Sequence, residues 1–278
     1  MLKQRVITAV VLLALLLPAL FVKTTWPFAA LTLLLVAAAG WEWGRLNQAS
    51  RAGAVVSGVI VALACLIAWM LGWATSAPSS AWWLVFAVWV LGGAIALRGG
   101  PAAWPEIPKA LRWVVGVLVL WAAWMALANA KAQGVNFLLS IFCLVWTADI
   151  AAYFGGRAFG RRKLAPTISP GKSWEGVWSG MVGVLLLAVM WILIDRHIHV
   201  DSASLYTQLA GTFGVVPMIV GLAVLAGMSV VGDLFESLVK RAAGAKDSSQ
   251  LLPGHGGVLD RIDALLPVFP IALALTLT

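Results

Sequence analysis

Long apolar runs constrain this chain more than any other feature. Hydrophobic residues make up 62% of its 278 residues and charged residues only 11%. A water-soluble core of this length has no use for so many apolar residues and would expose too many of them. A bilayer takes them in stretches of about 20. Hydropathy places nine such stretches, near Val6–Val22, Trp26–Trp43, Val55–Trp73, Ala81–Leu97, Trp113–Ala130, Val135–Phe154, Val177–Ile194, Val215–Val239 and Ala264–Thr278, the last of them short. Backbone polar groups in hydrocarbon must be satisfied within the segment. The fold class is therefore all-α, a polytopic integral membrane protein with about nine transmembrane helices.

Charge then orients the spans. The net charge of +8 invites a nucleic-acid reading, but its distribution argues for no nucleic acid. With nine spans and the N-terminus cytoplasmic, one side holds Lys3, Arg5, Arg45, Arg51, Arg98, Lys109, Arg112, Arg157, Arg161, Arg162, Lys163, Lys172, Lys240, Arg241, Lys246 and Arg261, and the other only Lys23, Lys131 and Arg196. Sixteen against three is a strong positive-inside asymmetry. The first apolar run, behind Lys3 and Arg5, is followed by Lys23 and Thr24–Thr25 rather than a small-residue cleavage site, so it reads as an uncleaved helix. Cys65 and Cys143 are lone thiols within spans, read as small buried side chains. His197 and His199 read as a solvated loop.

The chain divides into an N-terminal helical scaffold, residues 1–130, and a C-terminal catalytic region, residues 131–278. The scaffold has only Glu42 and Glu106 as acids and carries Trp41, Trp43, Trp82 and Trp83 as interfacial anchors. No internal repeat appears, which weighs against a transporter. The second half holds Asp149, Glu175, Asp233, Glu236, Asp247, Asp260 and Asp263 at or just inside the cytoplasmic face.

Four segments there carry chemistry. Asp149 sits in the apolar run IFCLVWTADIAAYFGG, and a carboxylate in hydrocarbon points to a polar cavity or a cation. The segment Gly155–Gly176 offers a basic cluster and then Ser169, Lys172, Ser173 and Glu175 among Pro and Gly residues. It reads as a loop whose N–H groups turn toward an anion, although no P-loop pattern is present. In GDLFESLVKR, a helix puts Asp233, Glu236, Ser237 and Lys240 on one face. In PGHGGVLDRID, Gly254, Gly256 and Gly257 let backbone approach a ligand at His255, and Asp260 and Asp263 share a helical face beside Arg261. Each segment alone also reads as a topology-fixing basic loop, a snorkelling helix end or a Gly-rich turn. Divalent Mg²⁺ takes one or two carboxylates together with phosphate oxygens, and Asp233 with Asp260 is the best pair for it.

From Ser237 to Asp263 the chain reads S-x-V-K-R-x4-K-D-x-S-x2-L-P-x-H-G-G-V-x-D-R-I-D. This resembles, without a gap, the signature of the phosphatidate cytidylyltransferase (CDP-diacylglycerol synthase) family, and Ile168–Gly176 is similar to that family as well. The resemblance implies that CTP and phosphatidic acid give CDP-diacylglycerol and pyrophosphate, with Mg²⁺ as cofactor and a second cation such as K⁺ beside it. It implies a homodimer in a bacterial inner membrane, with membrane lipid as substrate and the active site facing the cytoplasm. Asp233 and Asp260 are then the metal ligands, and the catalytic set is Asp149, Lys172, Asp233, Lys240, Asp260 and Asp263. Ser169, Lys172, Ser173, Glu175, Lys240, Arg241, Lys246, Asp247, His255, Gly256, Gly257 and Arg261 are the substrate contacts. The alternatives are a CTP-dependent polyprenol kinase, which transfers a γ-phosphoryl group, and an ion-coupled transporter using Asp149, Asp233 and Asp260 as a path.

Overall fold

The computed structural model describes residues 2–277. The side chains of Lys3 and Arg5, and Thr278, all used in the charge and span reading, lie outside what is described. The elements are helices α1 (Leu2–Phe21), α2 (Trp26–Leu46), α3 (Arg51–Met70), α4 (Trp73–Ser76), α5 (Ser79–Ala103), α6 (Lys109–Gln133) and α7 (Val135–Phe159). A hairpin of β1 (Lys163–Ala165) and β2 (Ser169–Ser173) follows. The chain continues with α8 (Trp174–His197), α9 (Leu205–Phe213), α10 (Val215–Ala242), α11 (Leu259–Ile262) and α12 (Leu265–Thr276).

Among these described residues seven helices are long and apolar enough to cross a membrane: α2, α3, α5 with the turn that follows it, α6, α7, α8 and α10. The expected first and ninth spans are helices too. Helix α1 has 20 residues, Leu2–Phe21. Helix α12 has 12 residues and reaches about 18 Å, against a hydrocarbon core of about 30 Å. It is instead an internal element, buried from Leu266 to Ala274 and packed on α5, α6 and α10. The outer faces of the long helices carry the apolar surface expected of lipid contact: Leu84, Ile95, Tyr153, Phe154 and Leu186 are all exposed.

Local chemistry sets the element ends. Ser50, Ser173 and Ser204 cap α3, α8 and α9 by accepting from Gly53, Gly176 and Thr207 N–H groups. Helix α5 breaks at Gly100, where φ is +67° and Pro101 follows. Helices α7 and α8 lie close because small residues face each other. A Cβ on Gly180 would stand 2.9 Å from the Ala148 carbonyl oxygen, and one on Gly183 2.8 Å from the Ala151 Cβ.

Two features differ from the sequence reading. The 155–176 segment is no open loop: α7 runs on to Phe159 and the rest pairs as an antiparallel hairpin, Lys163 opposite Ser173 and Ala165 opposite Ser169. The stretch between α8 and α10 contains α9, which buries Leu205, Tyr206 and Leu209.

The two ends of the bundle are chemically distinct. At one end Arg112 Nη1 lies 3.4 Å from Asn47 Oδ1, Lys109 donates to the Gln48 carbonyl, Arg241 Nε to the Ile168 carbonyl and Thr8 to the Pro253 carbonyl. At the other, Lys131 donates to the Val22 carbonyl, and Asp201 accepts from the Val135 and Asn136 N–H groups at the start of α7. The ends expected on a common side of the membrane do meet.

Candidate functional site

Helix α10 supplies the backbone of the site, and an aromatic cage fixes its rotation. Phe235 packs against Trp43, Trp89 and Trp104 with centroid separations of 5.9, 5.6 and 5.4 Å. Asp233 lies about 200° round the helix from Phe235, so burying the ring turns Asp233 outward. Asp233 Oδ2 meets Lys172 Nζ at 2.6 Å, and its Oδ1 accepts from Ser237 Oγ at 3.2 Å. This pair lies in a cleft of about 510 Å³ between α7, β2, α8 and α10, which Asp149, Tyr153, Arg157, Ser169 and Ser173 also line. Strand β2 therefore does bring Lys172 to the carboxylates, as one edge of a hairpin.

One turn further along α10 the polar residues are buried. Lys240, 9% exposed, sits between Glu236 Oε2 at 2.5 Å and Asp260 Oδ1 at 2.6 Å. Asp260 Oδ2 accepts from Ser248 N at 2.9 Å, Ser248 Oγ at 2.8 Å and Gly257 N at 2.8 Å. Burial alone would raise the Asp260 carboxyl; the Lys240 and backbone hydrogen bonds outweigh it and hold the group down at about 2. Asp263 is the opposite case. Burial first, then the charge of Asp233, push its carboxyl up to about 7, against one hydrogen bond from Ala264 N at 2.8 Å.

Asp149, Asp233, Glu236, Asp260 and Asp263 thus act on one another, and among the described residues the ammonium groups that act on them are Lys172 and Lys240. Glu236 Oε1 is buried with no hydrogen-bond donor among the described residues. Surplus carboxylates and an orphaned carboxylate oxygen fit cations bound in this cluster. Among the described residues no group of three or more His, Cys, Asp or Glu forms a metal cage by itself.

The other expected contacts are distributed. Lys246 and Asp247 line a second cavity of about 560 Å³ with Arg45, Ser248, Ser249 and Gln250. Arg241 and Arg261 are spent on backbone carbonyls, of Ile168 and Ala245 and of His255. Glu175 accepts from the Arg161 and Arg162 N–H groups and holds the turn into β1. His255 stands in the bridged turn Leu252–Gly256, its Nδ1 buried with no hydrogen-bond partner among the described residues. Gly256 and Gly257 make room for protein: a Cβ there would meet Asp260 Oδ2 at 2.9 Å and Ser248 Oγ at 2.0 Å, respectively. Asp260 and Asp263 lie three residues apart on the single turn α11 and its helical C-cap, and both act on Glu236, but their hydrogen-bond partners differ.

The residue that sequence reasoning missed is Glu42, on α2 in the presumed scaffold. It is fully buried and accepts hydrogen bonds from Ser249 Oγ, Val258 N and Leu259 N, with Ser248 Oγ shared between it and Asp260. The signal that would have found it is the one applied to Asp149, an acid alone in an apolar run.

A helical bundle with seven helices long and apolar enough to cross a membrane, and a carboxylate-rich, lysine-bearing cleft, defines the class of a multi-pass membrane protein. The chain belongs to the cytidylyltransferase family, whose model matches residues 3–278. It is 37% identical over 281 residues to a phosphatidate cytidylyltransferase of Pseudomonas aeruginosa, covering 99% of this chain and 97% of that protein. A Haemophilus influenzae protein of the same name is 37% identical over 300 residues, covering 97% and 96%. One from Brucella suis is 47% identical over 133 residues, covering 48% of this chain and 44% of the relative.

Proposed function

We propose that the chain is a phosphatidate cytidylyltransferase, making CDP-diacylglycerol and pyrophosphate from CTP and phosphatidic acid. The end-to-end likeness to the Pseudomonas aeruginosa enzyme carries this reading. In the reaction a phosphate oxygen of phosphatidate attacks the α-phosphorus of CTP, and the bond from that phosphorus to the bridging oxygen of pyrophosphate breaks. Both partners are anions, so the demand is for charge neutralisation and alignment.

The residues meet that demand in defined places. Lys172 stands in the cleft and faces one phosphate once Asp233 is otherwise occupied. Ser169, Ser173 and Arg157 line the same wall. Lys246 and Arg45 border the second cavity, where a polyphosphate can be held. Mg²⁺ bound at Asp233 and Asp260 would supply Lewis-acid stabilisation of the α-phosphate, and the orphaned Glu236 oxygen offers a place for a second cation such as K⁺. The phosphatidate oxygen is ionised near neutral pH, so no general base is required. The acyl chains stay among the lipid-facing helices.

The same reading gives a multi-pass protein of an inner membrane with the N-terminus and the active site cytoplasmic, and a homodimer. The test uses purified protein with phosphatidic acid, Mg²⁺ and CTP labelled separately at the α- and γ-phosphates. Cytidylyl transfer puts α-label into lipid and releases γ-label as pyrophosphate. Label entering lipid from the γ position defines a kinase and overturns the proposal. Native mass in detergent checks the dimer.

A further inference from the structure

We infer that Glu42 is a positioning residue for the transfer reaction: its carboxylate latches the turn that carries Asp260 to the end of α2. This rests on the cytidylyltransferase reading for its consequence, but the latch itself is a matter of geometry. Glu42 Oε1 accepts from Ser249 Oγ at 2.5 Å and Val258 N at 2.9 Å, and Oε2 from Leu259 N at 2.7 Å; the single Ser248 hydroxyl proton, 3.1 Å from Oε2, goes to the nearer Asp260. These partners lie more than 200 residues away in sequence. None of the ion pairs among the described residues includes Glu42. A buried carboxylate with no counter-charge is tolerable only when its lone pairs are filled by donors, and here donors fill both oxygens.

The donors are arranged with purpose for Asp260. Three successive N–H groups open the α11 turn. Gly257 N–H goes to Asp260, and Val258 and Leu259 N–H go to Glu42. Ser248 Oγ lies between the two carboxylates, 3.1 Å from Glu42 Oε2 and 2.8 Å from Asp260 Oδ2. Asp260 in turn holds Lys240, which holds Glu236. Glu42 therefore never reaches substrate, yet it fixes the first link of the chain that orients Asp260 and Lys240.

The arrangement makes an unusual demand on side-chain chemistry. Each Glu42 oxygen faces a peptide N–H, so either flip of a glutamine sets its NH₂ against a donor that cannot rotate away. Glutamine has the right shape and fails; aspartate is too short, but keeps two acceptor oxygens. A role in filling space alone ranks the two variants the other way.

The experiment compares wild type, Glu42→Gln and Glu42→Asp as full-length protein in detergent, by steady-state kinetics and amide hydrogen exchange. Glu42→Gln is expected to lose exchange protection at Val258 and Leu259. Its kcat should fall roughly ten- to a hundredfold, the cost of about an ångström of misplacement, while KM for phosphatidate stays put and Glu42→Asp retains more kcat than Glu42→Gln. Should Glu42→Gln fail to fold, Ser249→Ala removes one donor and should show the same pattern at smaller size. Wild-type kcat in Glu42→Gln, or in a folded Ser249→Ala, overturns the inference. So does Glu42→Gln outperforming Glu42→Asp. A wild type that makes no CDP-diacylglycerol instead sinks the functional reading, while fast exchange at Val258 and Leu259 in that same protein sinks the latch.

Discussion

At the scale of single residues, Lys240 shows how a site can be held together by charge that is out of reach of water. Its ammonium is the one cation paired with Glu236, and with Asp260, among the described residues. From sequence it reads as a phosphate clamp whose removal weakens substrate use without unfolding. The structure changes that expectation. Lys240→Ala leaves two buried carboxylates facing each other, and breaking a buried pair costs about 3–5 kcal/mol. Thermal unfolding of Lys240→Ala should fall well below wild type, and Glu236→Gln combined with Lys240→Met should recover much of the loss; a Lys240→Ala protein as stable as wild type would mean the pair is not formed. Asp233 is different, because its side chain is 30% exposed, and asparagine keeps its shape and can still accept from Ser237. Asp233→Asn should melt as wild type does, yet lose turnover, and lose the stabilisation that Mg²⁺ gives the wild type in a thermal-shift series. Normal turnover would remove Asp233 from the metal site.

At the scale of elements, the site depends on close approaches that allow no side chain. The turn from Ser248 to α11 closes round two carboxylates, and Gly257 is where it touches both. A Cβ there would stand 2.0 Å from Ser248 Oγ and 2.4 Å from Glu42 Oε1. Gly257→Ala is expected to reduce kcat at least as far as Glu42→Gln, since it displaces the same turn, and assay of folded protein checks it. The helix face on α10 was readable from the spacing of Asp233, Glu236, Ser237 and Lys240, because a 3.6-residue period fixes which side chains share a side. The β1–β2 hairpin was not. Pro and Gly in SPGKS argued for a loop, and pairing with Lys163–Ala165 comes from a partner strand only three residues long that carries no strand signal of its own.

At the scale of the whole molecule, the positive-inside asymmetry and the segregated contacts at the two ends make one orientation the working expectation. Single cysteines at Gln250 and His199, both exposed, should label from opposite sides of sealed inner-membrane vesicles, Gln250 from the cytoplasmic side. Labelling from one side only would mean that the count of crossings is off by one. The short α12 bears on the same question: it lies inside the bundle beneath α5, α6 and α10 rather than facing lipid along its length.

The amino-acid sequence by itself determined the class of fold, the alternation of faces and most of the chemistry. Long apolar runs call for a bilayer or a buried bundle interior, and the Ser237–Asp263 pattern carries its residue types in order along a single stretch. Only the tertiary structure decided which charges neutralise which. It set Lys172 on Asp233, placed Lys240 between Glu236 and Asp260, turned Arg241 and Arg261 to backbone carbonyls, and brought Glu42 from the far half of the chain to the turn that bears Asp260. Those pairings depend on distances between helices remote in sequence, and on which buried groups lack any other partner, neither of which a linear pattern encodes.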